Sequence, residues 1–471
     1  MKTGMTSRVF SATGWFLLAM VWTMVSRNEV LAGGERVNVR GMGMARTFDA
    51  TSRGLDAVGV NPANLGFPDQ GTVTMSLVPF GLHFGSDVFT YGLYTNYFTG
   101  VPTDSGRVAR YLDESDKRNI LDAFRDGVGE TRADAEVRLF GLSICLGELG
   151  TVALTATEQF QAYVDMPKDY AQFLLEGNTP GSTLDFSKTD LKAAWVREYA
   201  ITFGRQFKGF SIFRTFAAGL GVKLVHGYGY YELERFNTSL TTATNGTLTG
   251  TVGFQTRLSG AELFRNSDNA RYSPFPAPAG TGFGVDVGVA GALNEYLSVG
   301  FSITDIGSIT WDSDNQKTSV DTTMVIDDPV TVAKSNSVEN ALNGKQQAIG
   351  SFSTSLPTTL RLGFAMEVHK LFVHMPGELL IGFDYNQGLV RTAGSVTTSR
   401  VSLGAEYRLV HWFPIRTGIS LGGTDHFNYA FGFGFNLGVF DLDLASENIS
   451  LLLAPKNFSY GSVAVGMRVR I

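Results

Sequence analysis

Apolar residues occupy every second position through long stretches of this chain. In residues 360–368 large apolar side chains alternate with small or polar ones, and the same period of two recurs in residues 401–409, 431–439 and 463–471. A period of two is the pattern of a β-strand, whose successive side chains point to opposite faces. Segments of about ten residues with one apolar face and one small or polar face are typical of strands that separate lipid from a lumen.

These segments are numerous enough to close a barrel. We predict an all-β fold, a transmembrane antiparallel β-barrel of about 14 strands. A soluble β-sandwich or propeller would show the same alternation, but soluble strands average only about five or six residues. The predicted strands are residues 72–84, 87–98, 135–146, 150–164, 192–207, 217–235, 247–258, 281–293, 296–305, 318–326, 358–369, 378–387, 398–410, 414–422, 427–440 and 461–471, with 442–455 ambiguous.

Two insertions between the strands have helical spacing instead. Residues 105–126 and 166–176 carry apolar side chains every three or four positions, and the second segment has Pro167 near its start and Gly177 after its end. That asymmetry is typical of a short helix. We therefore predict two short helical insertions on loops or inside the lumen. Long polar loops, which lie on the extracellular side of outer-membrane barrels, are predicted at residues 236–250, 259–280 and 312–357.

The N-terminus has the three parts of a secretory signal. Lys2 and Arg8 precede an apolar stretch at residues 9–25, and a polar region ending in Ala32 follows. This pattern predicts export and cleavage after Ala32, although the apolar stretch is also almost long enough for an uncleaved anchor. The predicted organisation is a signal peptide at residues 1–32, an N-terminal hatch at 33–70 and the barrel at 71–471.

Composition narrows the class further. The chain has 55 glycines and 35 phenylalanines but only 17% charged residues and a net charge of −6. Without a basic run, this balance argues against a nucleic-acid partner. After the signal segment no apolar run reaches the length of about 18 residues that a transmembrane helix needs. The single cysteine, Cys145, allows no internal disulfide, and its apolar surroundings predict a small buried side chain.

Residues 33–70 do not alternate and contain three compact motifs. These are Gly41-Met42-Gly43, Asp56-Ala57 and the turn formed by Asn61, Pro62, Ala63 and Asn64. In this order, and with the paired segments 282–288 and 297–307, they resemble the FadL-like superfamily of outer-membrane barrels. That superfamily includes transporters of long-chain fatty acids and aromatic hydrocarbons and the PorV-type barrel of the type IX secretion system. Residues 116–124 and 174–178 look closer to a branch of predicted outer-membrane proteins without an assigned function.

The resemblance implies a 14-stranded barrel with the N-terminal segment inside it as a hatch. Asn61, Pro62, Ala63 and Asn64 would form the hatch turn, either anchoring the hatch or contacting a ligand. The implied location is the bacterial outer membrane, in contact with its lipid. In the transporters of the superfamily, apolar ligands enter from outside; the region that captures ligand there is not recognisable in this chain.

The residues show no catalytic or metal-binding pattern. None of the six histidines forms a zinc motif, and neither a nucleophile elbow nor a phosphate-binding loop is present. We predict a protein that is not an enzyme and needs no cofactor or metal. The first hypothesis is passive transport or binding of a hydrophobic small molecule. The alternatives are a PorV-like docking or scaffold barrel for secreted or envelope proteins, and a soluble secreted β-protein.

Overall fold

The computed structural model describes residues 38–471 except 70, 125, 261–275, 327–343, 373, 396, 424–426, 450–455 and 457–458. The predicted signal peptide therefore lies outside the described residues. Within them, the helices are α1 (Val39–Gly43), α2 (Tyr91–Tyr97), α3 (Glu114–Asp122) and α4 (Lys168–Glu176), and 3-10 turns occur at Gly54–Ala57, Pro62–Gly66, Gly147–Leu149 and Val368–Lys370. No helix in these ranges is both long and apolar enough to cross a membrane.

Most of the described chain is β-structure. The strands are β1 (Val73–Ser76), β2 (Phe80–Ser86), β3 (Val101–Thr103), β4 (Gly106–Val108), β5 (Val128–Cys145), β6 (Thr151–Pro167), β7 (Thr183–Asp185), β8 (Asp190–Phe207), β9 (Thr215–Phe236), β10 (Ser239–Thr242), β11 (Leu248–Ser259), β12 (Gly280–Ala292), β13 (Leu297–Trp311), β14 (Gln316–Ile326), β15 (Lys345–Ala348), β16 (Phe352–Ser355), β17 (Thr359–Glu367), β18 (Glu378–Gly388), β19 (Arg400–Arg408), β20 (Ile415–Gly422), β21 (Phe427–Asn436), β22 (Phe440–Ser446) and β23 (Tyr460–Arg470).

Fourteen antiparallel positions close a barrel. The order around it is β1 with β2, then β5, β6, β8, β9, β12, β13, β16 with β17, β18, β19, β20, β21, β22 and β23. Closure comes from β23, which pairs with both β1 and β2 at Thr74↔Arg470 and Phe80↔Val465. The predicted number of strands is therefore confirmed.

The wall of this barrel is apolar outside and polar inside. Outward side chains such as Ile201 and Phe283 are exposed, Phe283 by 68%, whereas inward Lys223 and Asp286 are buried. A water-soluble protein buries the opposite classes of side chain, but a barrel surrounded by lipid presents its apolar face outward. The chain is thus a transmembrane barrel of the outer-membrane type, as predicted, and the soluble β-protein alternative is wrong.

The N-terminal segment, residues 38–67, lies within the lumen. Its backbone approaches the wall so closely that a side chain at Gly219 would overlap Pro62, and one at Gly418 would overlap Met44. Polar contacts are also present, since the backbone nitrogens of Phe48 and Asp49 both donate to Asp384 Oδ2 at 2.7 Å. Glycines on the inner wall are therefore explained here by close approach of a second backbone.

The connections differ at the two ends of the barrel. Short turns such as 146–150 and 293–296 lie at one end, and the long connections from β2 to β5, β6 to β8, β9 to β12 and β13 to β16 begin and end at the other. Because outer-membrane barrels direct their long loops outward, we call the second end extracellular. The strands predicted at 247–258 and 318–326 are β11 and β14, which lie in these connections rather than in the barrel wall. With β7, β10 and β15 they form a sheet that extends β9 beyond the barrel, so the loops predicted at 236–250 and 312–357 are partly β-structure.

Several local predictions are corrected by the structure. Residues 91–97 form α2 rather than part of a strand, and β3 pairs with β4 as a hairpin where the first helical insertion was predicted to begin. Later in that insertion Glu114–Asp122 form α3, and the second insertion contains α4. Cys145 is exposed at the end of β5, so the prediction of a buried thiol is wrong.

Candidate functional site

A cavity of about 190 Å³ lies in the extracellular half of the lumen. It is bounded by β6, β8, β9, β13 and β16 and by the connection between β18 and β19. Its lining includes both apolar and polar side chains: Gln159, Gln161, Lys192, Ala194, Val196, Glu198, Tyr230, Glu232, Arg257, Ile309, Trp311, Leu356, Pro357, Val390 and Arg391. An apolar wall inside a barrel whose lumen is otherwise largely polar marks this cavity as the candidate site.

Aromatic side chains form that wall. The ring of Trp311 lies 5.2 Å from the ring of Tyr230 and 6.5 Å from that of Phe352, measured between centroids. Trp311 is 0% exposed, and its indole nitrogen donates to Thr354 Oγ1 at 2.8 Å. A side chain at Gly227 would overlap the indole ring. The tryptophan is thus held rigidly by packing on one edge and a hydrogen bond on the other.

A change of register places Trp311 inside the barrel. Early in β13 the even-numbered residues face inward, as Ser302 does, and Phe301 faces the lipid. Thr304 and Asp305 are both buried, and Asp305 has φ +59°, so the pattern shifts by one residue. Such a bulge redirects the side chains that follow it. The alternation along the sequence therefore does not place Trp311 in the lumen, because it gives no sign of the bulge.

The β18–β19 loop (residues 389–399) covers the cavity from the extracellular side. It starts on one side of the barrel and contacts the opposite wall, where Arg132 Nη1 donates to the carbonyl oxygen of Ala393 at 3.0 Å. Arg391 donates to Asp165 Oδ2 at 2.6 Å and to the hydroxyl of Tyr163 at 3.2 Å. Although burial opposes the charge, the neighbouring Asp165 carboxylate holds the pKa of Arg391 above its usual value.

The floor of the cavity is ionic. Lys223 Nζ lies 2.5 Å from Asp305 Oδ1, 2.9 Å from Asp286 Oδ1 and 3.9 Å from Glu198 Oε2. Lys223 is only 1% exposed. Buried charges require such partners, because isolated charges pay a large desolvation penalty. Below this cluster a gap of about 20 Å³ separates Glu198 and Lys223 from Val58–Val60 of the N-terminal segment.

The predicted turn, Asn61 to Asn64, lies beneath that floor rather than in the cavity lining. Asn61 Oδ1 accepts a hydrogen bond from the backbone nitrogen of Ala63 at 3.1 Å, and its Nδ2 donates to the carbonyl oxygen of Val289 at 3.3 Å. Pro62 begins a 3-10 turn, and Ala63 packs on small residues of β9 and β12. Asn64 Nδ2 donates to the carbonyl oxygen of Asp49 at 2.6 Å. The structure thus brings the four predicted residues together at the wall.

A second, more polar cavity of about 390 Å³ opens at the periplasmic end of the barrel. Its arginines are tied to carboxylates, as in Arg416, which donates to Glu406 and Asp443 at 2.6 Å each, and Arg468, which donates to Asp56 at 2.9 Å. Among the described residues, no cluster of three or more histidine, cysteine or acidic side chains could hold a metal ion. This cavity has no apolar wall comparable to that around Trp311.

This chain is similar to one family of sequences and to several solved structures. A family model described as a family of unknown function, DUF5723, matches residues 62–447. No protein with a curated description matches the sequence. Among solved structures, the toluene transporter TbuX of Ralstonia pickettii is 12% identical with a TM-score of 0.47, covering 93% of this chain and 99% of its own.

Two further structures are similar to a comparable degree. The toluene transporter TodX of P. putida is 11% identical with a TM-score of 0.44, covering 92% of this chain and 97% of its own. A FadL homologue from Pseudomonas aeruginosa is 13% identical with a TM-score of 0.41, covering 93% and 98%.

Proposed function

We propose that this chain, which belongs to the DUF5723 family of unknown function, binds a hydrophobic small molecule in its upper lumen and passes it through the outer membrane. The observation that carries the proposal is the cavity beside Trp311, where Val196, Ile309 and Leu356 join the aromatic wall. A lumen that conducted only water and ions would gain nothing from such a wall, because apolar surface is costly to expose to water.

The size of the cavity sets the size of the ligand. Its volume of about 190 Å³ exceeds the roughly 150 Å³ of an apolar protein cavity known to bind benzene. A ligand of seven or eight carbon atoms gains roughly 6 kcal/mol from burial at about 0.8 kcal/mol per carbon, before the cost of association. A single-ring hydrocarbon therefore fits, and long acyl chains do not fit completely.

We further propose that the N-terminal segment acts as a hatch. It occupies the periplasmic half of the lumen and is tied to the wall by ion pairs such as Arg40 with Glu406, 2.8 Å apart. In the turn at Asn61–Asn64, the side-chain amide nitrogen of Asn61 donates to β12 and that of Asn64 donates to the segment itself, which supports an anchoring role rather than ligand contact. Passage to the periplasm then requires the segment to move or the ligand to leave around it.

Export by residues 1–32 is part of the same proposal. The expected mature protein begins at Gly33, and intact-mass measurement of protein isolated from outer membranes tests this. A mass that still includes residues 1–32 would show an uncleaved anchor instead.

Filling the cavity tests the function. Ala194→Phe adds a ring beside the aromatic wall, whereas Ala405→Phe adds the same ring on the half-exposed outer face of β19. We expect the first variant to weaken ethylbenzene binding at least tenfold in equilibrium dialysis and to slow uptake by cells lacking the native protein. The second variant should match the wild type. Equal binding by wild type and Ala194→Phe would refute the proposed site.

A further inference from the structure

We infer that the ligand is a neutral molecule that combines an apolar ring with one hydrogen-bond-accepting oxygen, and that Gln159 recognises the oxygen. The inference rests on the proposed function and adds the ligand's chemical class. Gln159 lies in β6, is 2% exposed and lines the cavity. Its amide nitrogen is buried and has no hydrogen-bond partner among the described residues.

A buried amide without a partner favours any ligand that supplies one. Leaving such a donor unpaired carries a penalty equivalent to a change in affinity of about tenfold or more. A hydrocarbon packed against Trp311 and Tyr230 gives the Gln159 amide no hydrogen-bond partner, but a ketone or ether oxygen accepts a hydrogen bond from it. The cavity therefore distinguishes an oxygenated aromatic from a hydrocarbon of the same shape, because one hydrogen bond is added while the apolar contacts stay the same.

The charges around the cavity favour a neutral ligand over an anion. The basic side chains in the described lining are already paired: Lys192 lies 3.0 Å and Arg257 2.8 Å from Glu232, and Arg391 lies 2.6 Å from Asp165. A carboxylate entering the cavity would have to displace one of these partners and would also lie near the ionic floor. The oxygen of the ligand is therefore expected to be uncharged.

The test compares ligands of matched shape in two proteins. Ethylbenzene and acetophenone differ chiefly in a carbonyl oxygen that accepts but cannot donate, and benzoate supplies the anion. Gln159→Met keeps the length of the side chain but removes its polar group. Equilibrium dialysis with the protein in lipid nanodiscs gives each affinity, and the ratio between the two ligands cancels differences in their partition into lipid.

We expect the acetophenone-to-ethylbenzene affinity ratio to fall about tenfold from wild type to Gln159→Met, because acetophenone loses its hydrogen bond, and we expect both proteins to bind benzoate weakly. Gln346→Met, on exposed β15, should leave the ratio unchanged, and heat-modified gel migration reports folding. An unchanged ratio would overturn the inference, for instance if water already satisfies the amide, while leaving the proposed function intact. Failure of wild type to bind either neutral ligand would overturn both.

Discussion

Arg391 and Asp165 face each other across the extracellular mouth of the barrel, with Nη2 2.6 Å from Oδ2. Arg391 comes from the β18–β19 loop and Asp165 from β6 on the opposite wall. The pair is partly exposed, so it contributes on the order of 1 kcal/mol at most. Its importance lies in its position, because it fixes the loop over the cavity that we propose as the ligand site.

Removing this pair is expected to open the mouth. Arg391→Met should raise the initial rate of ethylbenzene uptake severalfold with little change in equilibrium affinity, since the aromatic and aliphatic side chains around Trp311 are untouched. Raising the salt concentration should increase uptake by the wild type, because salt screens partly exposed ion pairs. The difference in uptake rate between the wild type and Arg391→Met should therefore become smaller. The control is Arg235→Met, which breaks an exposed pair with Asp321 in the extracellular sheet extension. If uptake by Arg391→Met matches that by the wild type, the loop does not limit entry.

The attachment of the N-terminal segment to the barrel wall depends on Asp384. This buried carboxylate accepts hydrogen bonds from the backbone nitrogens of Phe48 and Asp49, at 2.7 Å each. Asp384→Leu leaves both donors unpaired and should loosen the N-terminal segment by roughly 2–4 kcal/mol. We expect a cysteine placed at Ala57 in a Cys145→Ser background to become accessible to a water-soluble maleimide. Asp384→Asn keeps an accepting oxygen and should give an intermediate labelling rate; no increase in either variant would contradict this anchoring role.

Gly219 allows a second test of how the N-terminal segment is held, because the backbone of the segment packs closely against the wall at this position. A side chain at this position would overlap the Pro62 carbonyl group, whereas a side chain at Gly250 in β11 would meet no atom within 4 Å. Gly219→Val should therefore displace the Asn61–Asn64 turn or cost about 1–3 kcal/mol of stability, seen in the same labelling assay and in urea unfolding. Gly250→Val should change neither. If the Gly219→Val variant is as stable as the wild type and its N-terminal segment is not labelled, the turn can shift without loss of stability or attachment.

Removing one charge from the ionic floor of the cavity should strongly lower the stability of the protein. Lys223→Met leaves Asp286, Asp305 and Glu198 without their shared cation and should lower the free energy of unfolding by about 3–5 kcal/mol. Lys208, 94% exposed and 3.5 Å from Glu148, is the matched control, and Lys208→Met should stay within about 0.5 kcal/mol of wild type. Urea-induced unfolding in lipid vesicles measures both. Equal stability of the two variants would mean that the carboxylates find other partners or bind protons.

The hydrophobic pattern was sufficient to predict the architecture. Alternation with a period of two decides that a segment is a strand and which face is apolar, and these are local properties of the backbone. Most predicted strands from 135 onward agree with those observed to within a few residues, but β5 begins at Val128, well before the predicted start at 135, and β13 continues to Trp311. The break in alternation before residue 71 is the basis for the proposed hatch.

The cavity could not be predicted in this way. Trp311 and Tyr230 point inward only because bulges at Thr304–Asp305 and near Tyr228 shift the register of β13 and β9. A shift of one residue exchanges the two faces of a strand, and nothing in the local composition marks where it occurs. The sequence also gave no sign that the β18–β19 loop covers a cavity. Its contacts with Arg132 and Asp165 join residues more than 200 positions apart, so they leave no local pattern.

The sequence by itself thus determined that this chain is a lipid-facing barrel, because the period of its hydrophobic alternation, and the face on which the apolar side chains lie, depend only on local sequence. Tertiary structure alone decided which aromatic side chains meet in the lumen, which loop covers them, and which buried amide lacks a hydrogen-bond partner within the described part of the chain. Those features arise from register shifts and from contacts across the barrel, and they exist only once the wall has closed around its N-terminal segment.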